Sequence, residues 1–213
     1  MTYLKTFINA VLAGIMISIG GTVYLACESK LLGAFLFAVG LMAICVYQMS
    51  LFTGKIGYIF QNKPSYTLDC LVIWIGNFCG TLLSGIAVAF AKPDLSLSAA
   101  ELVSKKLEQN PITTIILGIF CGILMYIAVD NFRTNDHKFA KYLGIFICVP
   151  VFILAGFEHS IADMFYFALT PDVALLSLKG ITFIAYVSIG NLIGSWIVPN
   201  LKIFGEYVVK NKK

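Results

Sequence analysis

Five stretches of this sequence run for about twenty residues without a charged side chain, which is the length of helix that crosses the roughly 30 Å apolar core of a bilayer. A sixth apolar segment begins at Tyr142, meets Glu158, His159 and Asp163, and resumes at Met164. The sequence therefore predicts an all-α membrane protein with six transmembrane helices. The five uncharged runs are 7–27, 31–53, 71–91, 112–129 and 180–201.

Composition excludes most other classes of protein. Only 12% of the residues are charged and 59% are hydrophobic, whereas a soluble domain carries about 25% charged residues. The 15 Lys and Arg residues are scattered instead of clustered, so no nucleic-acid partner is expected. The six cysteines form no C-x-x-C pair, which indicates packing residues and no metal site. No catalytic spacing occurs, so we expect neither an enzyme nor a cofactor.

Two of the apolar segments contain residues that interrupt helices. The low-charge pattern of the second continues over 31–60, which as one straight helix would be about 45 Å long. Residues 50–54 can leave helical geometry there, and Gly156 and Pro150 can do so in the fifth segment. Broken helices in corresponding halves of a membrane protein indicate a substrate site near the middle of the bilayer.

The two halves of the chain share short patterns. The Gly-Asn-x-x-Gly of 76–80 recurs at 190–194, 114 residues later, and 13–15 resembles 117–119, 104 residues later. A repeat of three spans enters the membrane from the opposite side in its second copy, so an inverted repeat is expected. Within one transmembrane channel domain over 1–213, we expect repeat one at about 1–92, a connecting segment at about 93–110 and repeat two at about 111–213.

The distribution of basic residues predicts the orientation. With the N-terminus inside, ten Lys and Arg residues, Lys210, Lys212 and Lys213 among them, fall in cytoplasmic segments and five fall outside. This bias favours a multi-pass protein of the cytoplasmic membrane with both termini in the cytoplasm. In the connecting segment, Ser98 and Glu101 form a capping box that predicts a short outer helix from Ser98 to about Gln109.

Charge inside a predicted span is the strongest functional signal. Glu158, His159 and Asp163 lie in the apolar segment that begins at Tyr142, the fifth along the chain, where a charged residue costs about 2.5–3.5 kcal/mol or more to insert. His159 and Asp163 are four residues apart, so on a helix they share a face and can pair. We therefore expect these three residues to line a pore.

Several motifs carry a resemblance to a known family. Residues 156–164 read Gly-Phe-Glu-His-Ser-Ile-Ala-Asp-Met, and 51–54 read Leu-Phe-Thr-Gly. With the two Gly-Asn-x-x-Gly segments, they make the sequence similar to the formate/nitrite transporter family along almost its whole length. That resemblance implies an aquaporin-like protomer with its second and fifth helices broken, assembled as a homopentameric anion channel.

The resemblance also implies residue roles. His159 matches the central pore histidine, Thr53 the loop threonine that faces it, and Asn191 a pore-lining asparagine of the sixth helix. Lys106 falls on the vestibule lysine. The family's cytoplasmic constriction falls on Phe37, Leu41 and Phe152, and its outer constriction on Leu51, Phe52 and Met125.

Two positions depart from the family pattern. Asp163 stands where the family usually has Asn, and Gly122 stands where it usually has Asn in the fourth helix. Both departures bear on the hydrogen bonding and the width of the pore.

The functional expectation is a passive or proton-coupled channel for a small monovalent anion. Lys106 would concentrate the anion at one mouth, and a proton would accompany it past the apolar constrictions. Formate is the first expectation, with nitrite, hydrosulfide and short carboxylates such as acetate or lactate left open. A neutral-solute channel and an intramembrane enzyme are alternatives, although the sequence lacks the Asn-Pro-Ala loops expected of the first.

Overall fold

A computed structural model describes residues 3–210, and this part of the chain contains helices and no strands. The all-α prediction is confirmed. The Lys212 and Lys213 used in the charge count lie outside the described residues. The α-helices are α1 (Tyr3–Ala26), α2 (Lys30–Val46), α3 (Phe52–Lys55), α4 (Tyr66–Ala91), α5 (Pro93–Leu107), α6 (Pro111–Thr134), α7 (Lys138–Leu154), α8 (Ser160–Leu169) and α9 (Leu178–Lys210), with 3₁₀ helices at Ile56–Gln61 and Ala174–Leu176.

Four helices are long and apolar enough to cross a membrane: α1, α4, α6 and the Leu178–Val208 part of α9. They correspond to the first, third, fourth and last of the predicted spans. The segments between them contain shorter apolar helices, α2 and α8. Large apolar side chains such as Leu83, Phe90 and Phe120 are exposed on the outer faces, as expected of helices that face lipid or a neighbouring subunit.

The chain leaves helical geometry in both segments in which the sequence predicts an interruption. The first gap, between α2 and α3, covers 47–51, and the second, between α7 and α8, covers 155–159. The first begins earlier than predicted, because Gln48 takes a left-handed conformation (φ 53°) and Phe52 already starts α3. In the second, Gly156 has φ 70°, which favours glycine.

Pro150 does not break its helix. It lies inside α7, four residues before the end. A proline removes a single backbone donor, and a membrane helix packed among others tolerates that loss. The turn out of α7 therefore depends on Gly156 alone.

The long helices pack in two close pairs, α1 with α4 and α6 with α9. Gly80 of α4 lies against the carbonyl oxygen of Val11, and Gly194 of α9 lies against that of Ile119. Glycine at these crossings lets the two backbones touch. α2 packs on α7, and α8 packs on α4.

These contacts change the predicted correspondence between the two halves. Gly80 and Gly194 are counterparts as predicted, and their partners Val11 and Ile119 are 108 residues apart. The pairing of 13–15 with 117–119 is thus wrong by one helical turn. The short Gly-Ile match that suggested it is too common in apolar helices to fix a register.

The connecting helix also begins earlier than the capping box predicts. α5 starts at Pro93, and Ser98 lies inside it with its hydroxyl donating to the Asp94 carbonyl. Proline suits the first position of a helix, where its missing N–H costs nothing. α5 packs across α8, which places its last turn beside the second interruption.

The glycine crossings generate a stability prediction. Gly194→Ala puts a methyl group onto the Ile119 carbonyl and should lower the unfolding temperature in detergent, at a cost of about 1–3 kcal/mol for overpacking. Gly205→Ala on the same helix is the control, because nothing lies within 4 Å of its added carbon. Equal melting temperatures for the two variants would contradict the crossing.

Candidate functional site

His159 lies at the end of the second interruption and caps α8. Its Nδ1 accepts a hydrogen bond from the Ala162 backbone N–H at 3.1 Å, and its Nε2 lies 3.0 Å from Thr53 Oγ1. Since Nδ1 accepts, the ring carries its proton on Nε2 and donates it to the threonine oxygen. Only 2% of His159 and 1% of Thr53 are exposed, so the pair joins the two interruptions deep in the protein.

The expected pairing of His159 with Asp163 is not formed. His159 has an extended backbone as the N-cap residue of α8 (φ −113°, ψ 109°), so the four-residue spacing of a helix does not apply to it. Its two ring nitrogens are engaged by Thr53 and Ala162. Asp163 turns instead toward α5.

Two buried asparagines hold the interruptions in place. Asn77 Nδ2 donates to the carbonyls of Ala10 (2.7 Å) and Ser50 (2.9 Å), and its Oδ1 accepts from the Phe52 N–H (2.9 Å). Each side chain satisfies backbone groups at the end of a gap and on a neighbouring helix, where the hydrogen bonds of a helix cannot do so. Asn77 is fully buried.

Asn191 does the same at the second interruption. Its Nδ2 donates to the carbonyls of Gly118 (2.9 Å) and Glu158 (2.8 Å), and its Oδ1 accepts from the Ser160 N–H (2.9 Å). The three residues whose backbone Asn191 binds each lie 108 positions after the corresponding residue bound by Asn77. The structure therefore gives Asn191 a role in positioning the backbone next to His159.

A cavity of about 170 Å³ lies on one side of His159. The Phe152 ring stacks on the imidazole at 5.5 Å between centroids and meets the Phe37 ring edge-on at 6.2 Å. Lys106 and Asp163 also line this cavity. The wall of this cavity is thus apolar next to His159 and carries charged side chains on the side of α5.

Lys106 is not free in this cavity. Its Nζ pairs with Glu158 Oε2 and lies 3.0 Å from Asp163 Oδ1. Gln109 Nε2 donates to the other Glu158 oxygen at 2.8 Å. The side chains of Glu158 and Asp163 are each 2% exposed and that of Lys106 is 14% exposed, so one partly buried cation serves two buried carboxylates.

A larger cavity of about 460 Å³ lies at the other interruption. Leu51, Gly54 and Val129 form part of its wall. Its cationic lining consists of Lys55, Arg133 and Lys141, and no carboxylate lines it within residues 3–210. This mouth is therefore positively charged, in contrast to the mouth at Lys106.

The predicted sides of the two constrictions are wrong. The sequence expectation put Leu51 on the same side as Lys106, and Phe37 and Phe152 on the opposite side. Instead, both phenylalanines share the cavity with Lys106, and Leu51 lines the other one. The cause is the early end of α2, which keeps Phe37 on the α5 side while 47–51 leads the chain past the histidine.

The remaining predicted constriction residues are in the core. Leu41 and Met125 are 1% exposed and Phe52 is 7% exposed, and they line neither cavity. Phe52 begins α3, with its N–H held by Asn77. These three side chains belong to the buried apolar core and do not face either cavity.

Several site residues were missed by the sequence reasoning. Asn77 was read only as part of a packing motif, although its match to Asn191 gave a signal for the same role. Arg133 and Lys141 were considered only when the loop charges were counted. No local sequence pattern indicates that residues of separate loops line the same cavity. Tyr24 and Tyr166, which line the smaller cavity, gave no signal either.

The fold and this site define a helical membrane protein in which a polar pair lies between two cavities. A profile of the formate/nitrite transporter family matches residues 1–204, and the chain belongs to that family, as its motifs predicted.

Known proteins are similar to this chain in sequence, and a solved structure is similar to it in fold. The formate channel FocA of Escherichia coli is 28% identical over 185 residues, which cover 76% of this chain and 65% of that protein. The formate-nitrite transporter of Plasmodium falciparum is 24% identical over 245 residues, covering 96% of this chain and 78% of that one. A solved structure described as a pentameric formate channel with formate bound superposes with a TM-score of 0.79 at 24% identity, over 97% of this chain and 98% of the other.

The asparagine clamps generate the second prediction. Asn191→Asp keeps the acceptor for Ser160 but removes the amide that donates to Gly118 and Glu158. Each buried carbonyl left without a donor costs about 1–3 kcal/mol, so the yield of folded protein and its melting temperature in detergent should fall clearly.

Asn200→Asp is the matched control for this variant. Asn200 is on the same helix, is partly exposed and donates one bond to the Trp196 carbonyl. The same change of charge there should leave the melting temperature within a few degrees. If Asn191→Asp were as stable as this control, the clamp would have no role in the fold.

Proposed function

We propose that this protein is a membrane channel for a small monovalent anion, with formate as the first candidate, and that a proton accompanies the anion. The observation that carries the proposal is the hydrogen-bonded pair of Thr53 and His159 between two cavities. A titratable ring at that place is accessible from one side past Phe37 and Phe152 and from the other past Leu51. The FocA relatives, described as formate channels, support the choice of formate.

The proposal includes six membrane spans in two inverted repeats. The second and fifth spans are then α2 with α3, and α7 with α8, each crossing the bilayer with its interruption near the middle. The hydrogen bonds of Asn77 and Asn191 support this arrangement, because the three backbone groups bound in the first half have counterparts 108 residues later in the second half. Repeat one occupies about 1–92, the connecting segment about 93–110, and repeat two about 111–213.

We also propose a homopentamer in the cytoplasmic membrane with both termini in the cytoplasm. The likeness to a solved structure described as pentameric supports the oligomer. The exposed apolar side chains along the long helices supply surface for neighbours and for lipid. The excess of basic residues in the predicted inner segments supports the orientation, which makes the cavity lined by Arg133 and Lys141 the cytoplasmic mouth.

The physical case for a proton is the cost of dehydration. Moving a carboxylate-sized ion into a medium of low dielectric costs on the order of 20 kcal/mol in the idealised limit. Protonating a carboxylate of pKa about 4 at pH 7 costs about 4 kcal/mol. The apolar side chains of Phe37 and Phe152 on one side of His159, and of Leu51 on the other, therefore favour passage of the neutral acid, with the anion loaded and released in the polar mouths.

A flux assay tests the substrate. The purified protein in liposomes should take up formate faster than empty liposomes do, and faster at pH 6 than at pH 7.5. Nitrite, hydrosulfide and acetate measured side by side give the order of preference. Uptake of glycerol with no anion flux would favour the neutral-solute channel and contradict the proposal.

The role of His159 gives the third prediction. His159→Asn retains a hydrogen-bonding side chain and loses the titratable ring, so formate uptake should lose most of its increase between pH 7.5 and pH 6. His137→Asn is the control, because His137 is exposed before α7 and is the only other histidine of the sequence. An unchanged rate and pH dependence in His159→Asn would show that the ring takes no part in proton coupling.

A further inference from the structure

The ion cluster beside the cavity next to His159 contains two acids and one base. Among residues 3–210, Lys106 is the one lysine or arginine that lines the cavity, and Glu158 and Asp163 both pair with it. With all three groups ionised, the cluster has a net charge of −1. A substrate anion that enters this cavity therefore meets a lysine that is already neutralised.

The two carboxylates are held differently. Both Glu158 oxygens have donors, Lys106 and Gln109, and Glu158 is not part of the cavity wall. Asp163 bonds Lys106 through Oδ1 alone, and its Oδ2 is buried with no hydrogen-bond partner within residues 3–210. Asp163 also lines the cavity. Glu158 is thus a fixed partner of the lysine, and Asp163 is a replaceable one.

The aspartate carboxylate has the chemistry of the proposed substrate. Formate and an aspartate side chain both present two oxygens on one planar carbon, and both bind an ammonium group by charge-assisted hydrogen bonds. An anion in the 170 Å³ cavity would bind Lys106 where Asp163 Oδ1 binds it now. The two anions cannot occupy that place together, because like charges so close repel strongly.

We infer that Asp163 is a specificity-determining residue that acts as a built-in competitor, occupying the cavity-facing side of Lys106 until it is protonated or displaced. This inference rests on the proposed function and adds a regulation to it. Addition of a proton from the cavity water to Asp163 removes its charge and leaves the lysine with Glu158 as its only ionised partner. The anion can then bind Lys106 at acidic pH, whereas at neutral pH the charged Asp163 competes with it.

The surroundings of Asp163 contain the other groups that respond to pH. A cation and an acid lie in direct contact with Asp163, and four further titratable side chains lie near it. These neighbours are Lys106 on α5, Glu158 and His159 in the interruption, Cys121 on α6, Tyr24 on α1 and Tyr166 on α8.

The test is the isosteric variant Asp163→Asn in liposomes. It retains an oxygen for Lys106 and removes the competing charge. Formate uptake at pH 7.5 should rise about fivefold or more, since a unit charge a few ångströms away in a medium of effective dielectric about 20 is worth more than a tenfold change in binding. At pH 5.5, where Asp163 is proposed to be protonated in the native protein, the two rates should approach each other.

The matched control is Glu101→Gln. Glu101 is an exposed acid on the same helix as Lys106, so this variant makes the same change of net charge outside the cluster. It should keep the native rate and pH profile. A similar acceleration in Glu101→Gln would assign the effect to general surface charge and overturn the inference.

A second variant separates competition from folding. Asp163→Ser lacks both the charge and the amide, and it should also be faster than the native protein at pH 7.5. Slower or unchanged uptake in both variants, or failure of both to yield folded protein, would mean that the carboxylate is structural and would overturn the inference. If the native protein itself carries no anion, the proposed function fails as well; if it carries formate and the variants gain nothing, only the competitor role fails.

Discussion

The structure depends on satisfying backbone groups at two places where helices stop inside an apolar protein. In such surroundings each unpaired N–H or carbonyl costs several kcal/mol, so non-helical backbone persists only where other groups bind it. Asn77 and Asn191 bind it, each with two donated bonds and one accepted bond. The glycines one turn away bring α1 to α4 and α6 to α9, close enough for these amides to reach across.

The site follows from this arrangement. With both interruptions fixed, Thr53 lies in the first turn of α3 and His159 caps α8 at a distance that allows one hydrogen bond between them. The same backbone turn that orients His159 sends Glu158 the other way, toward Lys106 and Gln109. The five-residue interruption at 155–159 thus provides both the histidine of the site and part of its charged side.

Much of this was available from the sequence. Apolar runs of membrane length gave the four long helices, and Gly156 with the charged residues after it located the second interruption. The sequence could not place the ion pairs, because Lys106 meets Glu158 through the path of α5, about fifty residues away along the chain. It also misjudged the sides of Phe37 and Leu51, since these depend on where α2 ends, and the repeat was assigned one turn off because short glycine matches fit several registers.

The unequal charge of the two mouths has a consequence for electrical behaviour. One end presents Lys55, Arg133 and Lys141 with no acid in its lining among residues 3–210, while the other neutralises its single lysine. Local enrichment of anions by an exposed positive patch extends over a Debye length of about 8 Å at physiological ionic strength and weakens as salt is added. Salt added on the arginine side should therefore weaken the attraction of anions to that cavity, whereas the paired lysine of the other cavity has little uncompensated charge for salt to screen.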